Sequence, residues 1–356
     1  MGQPLELVYC AKDMGAANVT LPHAIMHRDN GASVRVVAEG IAAGDYIKAG
    51  FIPDFAGTVN FREVPFTFDA AAYLSRRFRD QNGNEIPGAL VLGESSPANL
   101  EIQLGKALAE VNGERKIPVF LVECQDFWGG HIRLGLRPTL VITLDQYAKE
   151  LIHKSHPHLA DENVVIAGNP GAKTVQIFPR VNQPHLELRK RFGTIYYYAG
   201  GGEYTFAEIE LLKECLAKTT GNWCLVAGFH PKHVQKYGDD WREALKPLGD
   251  RFVEAEPRTG DQWASLTTTL SGFSTVLTTA TYYGQITAVL CTTASMKSLE
   301  IKSGLNEIPH AALGWATPIK KPRDLSTLKL PSEEVLEKLK PYEPRIAYQA
   351  IEDLFR

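Results

Sequence analysis

The chain has 356 residues, a formal net charge of -3, and 44% hydrophobic and 22% charged residues. This length predicts two domains, and the composition is that of a globular protein. The nearly balanced charge gives no electrostatic reason to expect binding to nucleic acid or to an anionic membrane. No run of about 18 apolar residues occurs, so we expect no membrane-spanning helix.

The N-terminus and the cysteines point to a reducing compartment. The first residues lack the basic and apolar regions of a secretory signal. The five cysteines are scattered, odd in number and without Cys-x-x-Cys spacing. We therefore expect buried free thiols, and we expect a cytoplasmic protein.

In the first half of the chain, short β-rich segments alternate with amphipathic ones, which predicts βα units around a parallel sheet. Strands are predicted at Leu5–Cys10, Ser33–Ala38, Ala89–Leu92, Pro118–Val122, Thr139–Thr143 and Asn163–Ala167. Helices are predicted at Ala16–Arg28, Ala70–Arg79, Ala98–Val111 and Gln146–Lys154. This half ends at the Gly168–Gly171 turn, so we place the first domain at residues 1–170.

The alternation restarts in the second half, which we assign as a second domain at residues 171–330. Strands are predicted at Thr194–Ala199, Asn222–Ala227, Arg251–Glu254 and Ile286–Cys291. Helices are predicted at Phe206–Lys218, Ser274–Tyr283, Ser332–Leu339 and Arg345–Phe355. Periodicity does not decide between helix and strand at Ala264–Leu270.

A glycine triplet is the first candidate ligand site. Parallel sheets bind ligands beyond the carboxyl ends of their strands, so polar or glycine-rich segments directly after a strand are informative. Gly200, Gly201 and Gly202 follow a strand and precede a helix. Glycine lets the backbone approach a phosphate, and a helix N-terminus adds free N–H donors. The Gly-x-Gly-x-x-Gly spacing is absent, so this is not a dinucleotide fingerprint.

Two further segments of the second half could hold a phosphate. Ser274 is a natural helix N-cap, and its hydroxyl and that of Thr275 could contact an anion as well as cap the helix. His230 and Lys232 follow another strand, with a proline suited to a first helical turn between them. Histidines alone give little support for a metal site, and no Asp-x-Asp occurs. We therefore expect neither a metal nor another cofactor.

The first half carries acidic candidates instead. Asp13, Glu94 and Glu123, with Asp126 nearby, follow three of its predicted strands. A hydroxyl that attacks an anomeric carbon must lose a proton, and a positioned carboxylate can accept it. Each residue alone is also typical of a helix cap or a solvated turn. Their shared placement after neighbouring strands favours one common site.

Four segments, taken in order, resemble a known group of proteins. Val164–Pro170 (VVIAGNP) resembles the domain junction of non-hydrolysing UDP-N-acetylglucosamine 2-epimerases and related glycosyltransferase-B proteins. Ile195–Gly202 resembles the strand and glycine pair that open their second domain, and Leu225–Lys232 resembles their strand followed by His-Pro. Ser271–Ala280 resembles their serine-bearing donor-phosphate loop. The first half matches only in layout.

The resemblance implies an α/β fold of glycosyltransferase-B type, with two Rossmann-like domains and a deep cleft between them. It also implies that C-terminal helices, here residues 331–356, cross back to the N-terminal domain. The donor nucleotide would bind the second domain, with His230, Ser274 and Thr275 facing the diphosphate and Gly200–Gly202 lining the cleft. Asp13 would occupy the loop that often supplies the base of inverting transferases. Glu94, Glu123 and Asp126 fall near the acidic residues of the epimerases.

Two departures from the pattern favour sugar transfer over epimerisation. Many relatives carry a glutamate after the Ser-Thr helix start that grips the nucleotide ribose, whereas Thr278, Thr279 and Thr281 occupy that stretch here. The basic and acidic set near the epimerase N-terminus is not reproduced by Lys12–Met14. Our hypothesis is a metal-independent glycosyltransferase that uses a nucleotide-sugar donor, with Asp13 as the base and Glu123 or Glu94 as substitutes.

Two alternatives remain at this point. One is a UDP-sugar 2-epimerase or hydrolase of the same fold, and the other is a non-catalytic binder of sugar nucleotides or polyanions. The donor sugar, its base and the stereochemical course are left open. The acceptor is left open among a small molecule, a glycan and a nucleic acid, as is a homodimer.

Overall fold

The computed structural model describes residues 5–56, 68–95, 98–172, 184–255 and 266–356. The chain divides into two compact units, Met1–Pro170 with Tyr342–Arg356, and Gly171–Pro341. Within the described ranges, no helix is both long and apolar enough to cross a membrane. All five cysteines carry free thiols and four of them are buried, as expected from the sequence.

The first unit contains a seven-stranded parallel sheet in the order β3-β2-β1-β4-β5-β6-β7. Its strands are β1 (Glu6–Ala11), β2 (Ser33–Ala38), β3 (Phe55–Ala56), β4 (Gly88–Gly93), β5 (Phe120–Cys124), β6 (Leu140–Thr143) and β7 (Val164–Ile166). Its helices are α1 (Met14–Asp29), α2 (Gly40–Lys48), α3 (Ala70–Ser75), α4 (Asn99–Asn112), α5 (Gly130–Leu134) and α6 (Gln146–Ser155), with a 3-10 turn at Asp161–Asn163.

The second unit contains a six-stranded parallel sheet in the order β10-β9-β8-β11-β12-β13. Its strands are β8 (Thr194–Gly200), β9 (Trp223–Phe229), β10 (Phe252–Glu254), β11 (Thr268–Ser271), β12 (Ile286–Leu290) and β13 (Thr317–Ile319). Its helices are α7 (Pro184–Phe192), α8 (Thr205–Ala217), α9 (Pro231–Leu245), α10 (Thr275–Tyr282), α11 (Thr293–Ser303), α12 (Pro309–Ala312) and α13 (Glu333–Lys338), with 3-10 segments at Lys246–Arg251 and Pro322–Thr327.

The two sheets share one strand order, and this order locates their ligand-binding edges. In the first sheet the chain moves from β1 outward through β2 to β3, then returns to the other side of β1 with β4. The second sheet repeats this pattern around β8 and β11. Loops diverge at such a reversal, and ligands of open α/β sheets bind there, beyond the carboxyl ends of the strands. Each unit therefore has one such crevice.

Burial explains why the central strands are continuous apolar segments. Every residue of β1 and β4 is buried, because helices cover both faces of the sheet. The core on one face includes residues of α1 and α2, and the core on the other includes residues of α3 and α4. The predicted parallel α/β architecture is confirmed in both halves.

The last helix, α14 (Pro344–Asp353), belongs to the first unit. The amide of Tyr342 donates to the carbonyl of Asn169 at 3.1 Å, and its hydroxyl donates to the carbonyl of Val19 at 2.7 Å. α14 then packs against α1 and β7.

The returning segment is shorter than the residues 331–356 expected from the resemblance, because α13 lies with the second unit. There, a Cβ on Gly314 would lie 3.5 Å from a methyl group of Val335. The chain returns to the first unit only from Tyr342.

Candidate functional site

In the second unit, the glycine loop at the end of β8 is stabilised by hydrogen bonds to Thr205 and Tyr204, which directly follow it. The amides of Gly201 and Gly202 donate to Oγ1 of Thr205 at 3.0 and 3.2 Å. The hydroxyl of Tyr204 donates to the carbonyl of Gly201 at 3.2 Å. Two of the three amides predicted to face a phosphate therefore have a partner within the loop, so the loop offers close approach rather than free N–H donors.

His230 stands beside this loop, directly after β9. Its amide donates to the carbonyl of Gly200 at 2.9 Å. A Cβ built on Gly201 would lie 3.2 Å from the Cβ of His230. The residue is exposed, and its ring centroid lies 5.8 Å from that of His233. Lys232 lies in the first turn of α9, but its side chain is outside the part of the chain that the structure describes. The structure thus brings His230 to the glycine loop.

Ser274 caps α10, as predicted. Its Oγ accepts a hydrogen bond from the amide of Val276 at 3.3 Å, and Thr275 is the exposed first residue of the helix. No acidic side chain lies in this first turn. The unpaired N–H groups of a helix start and the positive end of its dipole together favour an anion. A phosphate at this position is compatible with the serine cap.

Phe273 connects the α10 loop to the glycine loop. Its ring lies 4.8 Å from the ring of Tyr204, whose hydroxyl binds Gly201. The hydroxyl of Ser271, at the end of β11, donates to the carbonyl of Ala199 in β8 at 2.7 Å. The ends of β8, β9 and β11 therefore meet at the crevice of this sheet, which brings together the segments predicted to hold a diphosphate.

The three threonines in the stretch where a ribose-binding glutamate was expected differ in burial and in hydrogen-bond partner. Thr278 and Thr281 are fully buried. The hydroxyl of Thr278 is hydrogen-bonded to Nε2 of His310 at 3.0 Å, and that of Thr281 donates to the carbonyl of Leu277 at 2.8 Å. Thr279 is partly exposed and donates to the carbonyl of Gly171 at 2.7 Å. Only Thr279 of the three reaches the surface, so this stretch of α10 presents a hydroxyl where a carboxylate was expected.

In the first unit, Asp13 lies at the crevice between β1 and β4. It is partly exposed and caps α1, with Oδ1 accepting a hydrogen bond from the amide of Ala16 at 3.0 Å. The Oγ of Ser95, after β4, accepts from the amides of Lys12 and Asp13 at 2.9 and 3.2 Å. These bonds join the two strand ends across the crevice and fix the backbone that carries Asp13.

Asp126 occupies the same helix start. A Cβ on Gly15 would lie only 1.8 Å from its Oδ2, so the carboxylate sits against the backbone of the first turn of α1. The positive end of the helix dipole stabilises carboxylates in this position. The structure therefore places Asp13 and Asp126 together at one helix N-terminus.

Glu94 and Glu123 are buried rather than exposed beside Asp13. Glu94 is 1% exposed, and its Oε2 would be 1.6 Å from a Cβ on Gly130 at the start of α5. Glu123 was expected after its strand but lies inside β5, and neither of its carboxylate oxygens has a hydrogen-bond partner among the described residues. Burial raises the pKa of Glu123 to about 8, so this carboxyl is mostly protonated at neutral pH.

Sequence analysis missed Glu101, a fully buried residue of α4. Burial raises its pKa to about 7, and neither of its carboxylate oxygens has a hydrogen-bond partner among the described residues. Its burial could have been predicted from helical spacing, because Glu101 lies three residues before Leu104 and therefore on the apolar face of α4.

The described residues contain no group of three or more His, Cys, Asp or Glu side chains arranged to hold a metal ion. The candidate residues therefore form two sets. One, with His230, the glycine loop and the start of α10, lies at the crevice of the second sheet, and the other, with Asp13 and Asp126, lies at the crevice of the first.

Solved structures of similar fold exist, although no family model and no curated protein matches the sequence. Methanocaldococcus jannaschii UDP-GlcNAc 2-epimerase, solved with UDP-GlcNAc and UDP, has a TM-score of 0.60 at 11% identity, covering 98% of this chain and 99% of that one. The Neisseria meningitidis enzyme bound to UDP-GlcNAc has a TM-score of 0.58 at 11% identity, with the same coverage of 98% and 99%. A glycosyltransferase from Rickettsia africae ESF-5 has a TM-score of 0.55 at 6% identity, covering 98% and 94%.

At such low identity these similarities establish the fold. Two Rossmann-like domains of glycosyltransferase-B type, predicted from the sequence resemblance, are confirmed. Both epimerases and glycosyltransferases share this fold, so it does not choose between the two activities.

Proposed function

We propose that this protein is an enzyme that acts on a nucleotide-diphosphate sugar, and that its activity is sugar transfer without a metal ion. The observation that carries the proposal is the meeting of His230, the glycine loop and the start of α10 at the crevice of the second sheet. Proteins of the same fold were solved with UDP-GlcNAc or UDP, which supports a nucleotide sugar as the ligand.

The second unit would bind the donor diphosphate. The first-turn amides of α10 and the hydroxyls of Ser274 and Thr275 can donate to its oxygens, and the exposed His230 can donate a further hydrogen bond. Negative charge on the diphosphate grows as its bond to the sugar breaks. Donors and dipoles fixed in advance stabilise that charge, and this is commonly the largest contribution to catalysis.

The first unit would supply the base. In the proposed step, the Asp13 carboxylate takes the proton of the acceptor hydroxyl while the hydroxyl oxygen bonds to the anomeric carbon and the diphosphate leaves. Asp13 is partly exposed at the end of β1, whereas Glu94 and Glu123 are buried. An acceptor can therefore reach Asp13 without disrupting the core.

A UDP-sugar 2-epimerase or hydrolase is the second candidate, and two buried carboxyls favour it. Glu123 lies within β5, and Glu94 directly follows the neighbouring strand β4. Both side chains are buried. A protonated Glu123 could donate a proton while a second carboxylate accepts one, as proton movements at a sugar require. This candidate predicts turnover in the absence of any acceptor.

The donor site is tested by thermal denaturation with UDP, GDP, CDP, ADP and dTDP, with and without Mg²⁺. A ligand of the folded state stabilises it by about 2.7 kcal/mol at a hundred times its Kd. We expect one diphosphate to raise the melting temperature equally with and without Mg²⁺. Cooperative melting with no shift from any nucleotide would contradict the donor site.

Two serine caps provide a matched pair of variants. Ser274→Ala and Ser332→Ala each remove a side-chain cap, from α10 and α13 respectively, and each costs about 1 kcal/mol of stability. Only Ser274→Ala is expected to weaken the binding of the stabilising nucleotide. Equal loss of affinity in both variants would show that the effect is general instability.

The reaction is tested by incubating the protein with the matching nucleotide sugar in D₂O. Deuterium at C2 of the sugar, or release of free sugar without an acceptor, would establish epimerisation or hydrolysis. Transfer predicts an unchanged donor until an acceptor from a panel of sugars, glycans and nucleic acids is added. Tight nucleotide binding with no turnover under any condition would indicate a non-catalytic binder.

A further inference from the structure

One helix, α8, reaches both loops of the anion site. Thr205 in its first turn holds the glycine loop through two backbone amides. Glu208, three residues later in the same first turn, packs against the loop that follows β11. A Cβ on Gly272 would be 1.8 Å from Oε1 of Glu208, so the carboxyl rests directly against the Gly272 backbone.

The carboxyl of Glu208 is placed to be uncharged. It is fully buried, and Oε2 accepts a hydrogen bond from the hydroxyl of Tyr198 at 2.7 Å. Oε1 has no hydrogen-bond partner among the residues that the structure describes. A buried carboxylate with one unpaired oxygen is costly, because no water replaces its lost hydration.

The titratable groups around Glu208 do not offset a negative charge there. Burial raises the pKa of Glu208 to about 8, and the Tyr198 hydrogen bond lowers it. Burial also raises the pKa of Tyr198 on β8, that of Tyr204 before α8 and that of Cys291 after β12, so all three are neutral at pH 7. Two cations lie on neighbouring elements: Nζ of Lys302 on α11 lies over the rings of Tyr204 and Phe273 at 5.4 and 5.9 Å, and Lys320 after β13 lowers the pKa of Cys291. Neither acts on the pKa of Glu208 itself.

We propose that Glu208 is a positioning residue for the donor diphosphate: its uncharged carboxyl supports the Gly272–Ser274 loop from the interior, and its ionisation opens that loop. The proposal rests on the function proposed for this loop above. Gly272 is required because any side chain there would occupy the space of the carboxyl.

Ionisation would act on the site in two ways. A charged Glu208 needs water at Oε1, and the buried Gly272 backbone packs directly against this oxygen, so its hydration requires the Gly272 segment to move. The charge would also lie behind a site that binds an anion, at a depth where screening by solvent is weak. Both effects weaken diphosphate binding in the same direction.

The test compares wild-type protein with Glu208→Gln, using UDP as the probe at pH 7 and pH 9. Glutamine keeps an acceptor for Tyr198 and cannot ionise. A group with a pKa of about 8 is about nine-tenths ionised at pH 9, so UDP should bind wild type about tenfold more weakly than Glu208→Gln there. At pH 7 the two proteins should bind UDP nearly equally. Comparing the two proteins at one pH cancels the titration of UDP itself.

A second readout needs no ligand. Hydrogen–deuterium exchange of the peptide spanning residues 266–283 reports opening of the loop in the free protein. Between pH 7 and pH 9, this peptide should lose protection in wild type relative to Glu208→Gln at the same pH. A purely structural role for Glu208 would lower protection in the variant at both pH values instead.

A steric variant supplies a third check. Gly272→Ala pushes a methyl group into the carboxyl of Glu208 and should weaken UDP binding at both pH values. Glu208→Ala combined with Gly272→Ala removes that clash, so the double variant should bind UDP better than Gly272→Ala alone. An additive loss would contradict direct contact between the two residues.

The outcomes separate this proposal from the proposed function. A pH-dependent difference in exchange without UDP binding would support the role of Glu208 in the loop and contradict the donor site. UDP binding with identical pH dependence and exchange in wild type and Glu208→Gln would overturn the role of Glu208 and leave the donor site standing.

Discussion

The Oγ1 of Thr205 accepts a hydrogen bond from the amide of Gly201 at 3.0 Å. The same oxygen accepts from the amide of Gly202, so one buried hydroxyl satisfies two backbone donors of the glycine loop. The loop is therefore shaped before any ligand binds, and its glycines serve close approach by neighbours such as His230. The anion donors of the proposed site come mainly from the start of α10.

Thr205→Val tests this arrangement. Valine keeps the branched shape but offers no acceptor, so two amides lose their partner and the free energy of unfolding should fall by about 1–3 kcal/mol. Urea denaturation measures the change. Thr205→Ser keeps the hydroxyl and should cost much less, and equal losses in the two variants would show that packing rather than hydrogen bonding matters at this position.

Two glycines of the first unit are predicted to respond to alanine in opposite directions. A Cβ on Gly93, at the end of β4, would lie 2.5 Å from Cβ and 2.9 Å from Cα of Ala16, so β4 and α1 would have to separate. We expect Gly93→Ala to destabilise the protein by about 1–3 kcal/mol or more. This close approach also positions Asp13, which caps α1.

The matched control is Gly44→Ala in the interior of α2. Nothing lies within 4 Å of a Cβ at Gly44, so alanine should stabilise the helix by about 0.5–1 kcal/mol. Thermal or urea denaturation of both variants measures the pair. A stabilising effect of Gly93→Ala would contradict the tight β4–α1 packing, and a destabilising effect of Gly44→Ala would contradict the open space at that position.

The sequence predicted those features that depend on local pattern. Alternating apolar segments predicted most strands, because parallel strands buried on both faces are continuous apolar runs. Ser274 was recognised as a cap because serine before a helical segment satisfies its free amides. The glycine triplet was placed correctly at the carboxyl end of β8, although Gly200 is the last residue of the strand rather than part of the loop. Thr205, the partner of the Gly201 amide, could not be identified from spacing alone.

The features that the sequence did not predict depend on tertiary contacts. Glu123 was read as a turn residue because charged side chains rarely end a buried strand, yet β5 continues through Cys124. Glu101 and Glu208 lie on the buried, apolar faces of α4 and α8. Their burial becomes apparent only when each residue is assigned to a face of its helix. Helix α9 was missed because its polar side chains obscure the apolar stripe that includes Trp241.

Buried histidines predict that acid destabilises the protein. Burial lowers the pKa of His23 to about 3 and that of His310 to about 3, from an ordinary value of 6.5. The unfolded chain takes up protons at these groups below pH 6.5 and the native state does not. The free energy of unfolding should therefore fall as the pH drops below 6.5, by up to about 1.4 kcal/mol per pH unit for each histidine.

His23→Gln should reduce this acid dependence, whatever its fixed cost in packing. The measurement is the slope of the free energy of unfolding between pH 7 and pH 5, from urea titrations of wild type and variant. An unaltered slope in His23→Gln would mean that His23 is protonated in the native state.

The raised pKa of Glu123 predicts that the free energy of unfolding falls as the pH rises, the opposite of the effect of the buried histidines. Its folded pKa is about 8 against an ordinary 4.5, so the native state keeps a proton that the unfolded chain releases. The contribution of Glu123 to stability is therefore greatest below pH 4.5 and is lost as the pH rises towards 8, by up to about 1.4 kcal/mol per pH unit. Glu123→Gln removes this loss, so its stability relative to wild type should increase from pH 5 to pH 8.

Urea denaturation at pH 5, 6.5 and 8 measures this difference, with Glu110→Gln on the exposed face of α4 as the control. Curves that stay parallel for wild type and Glu123→Gln would show that Glu123 is ionised in the native state. The same variant separates the two proposed reactions. Transfer with Asp13 as the base should survive Glu123→Gln, whereas an epimerase that needs the Glu123 proton should lose turnover in a variant that is more stable at pH 8.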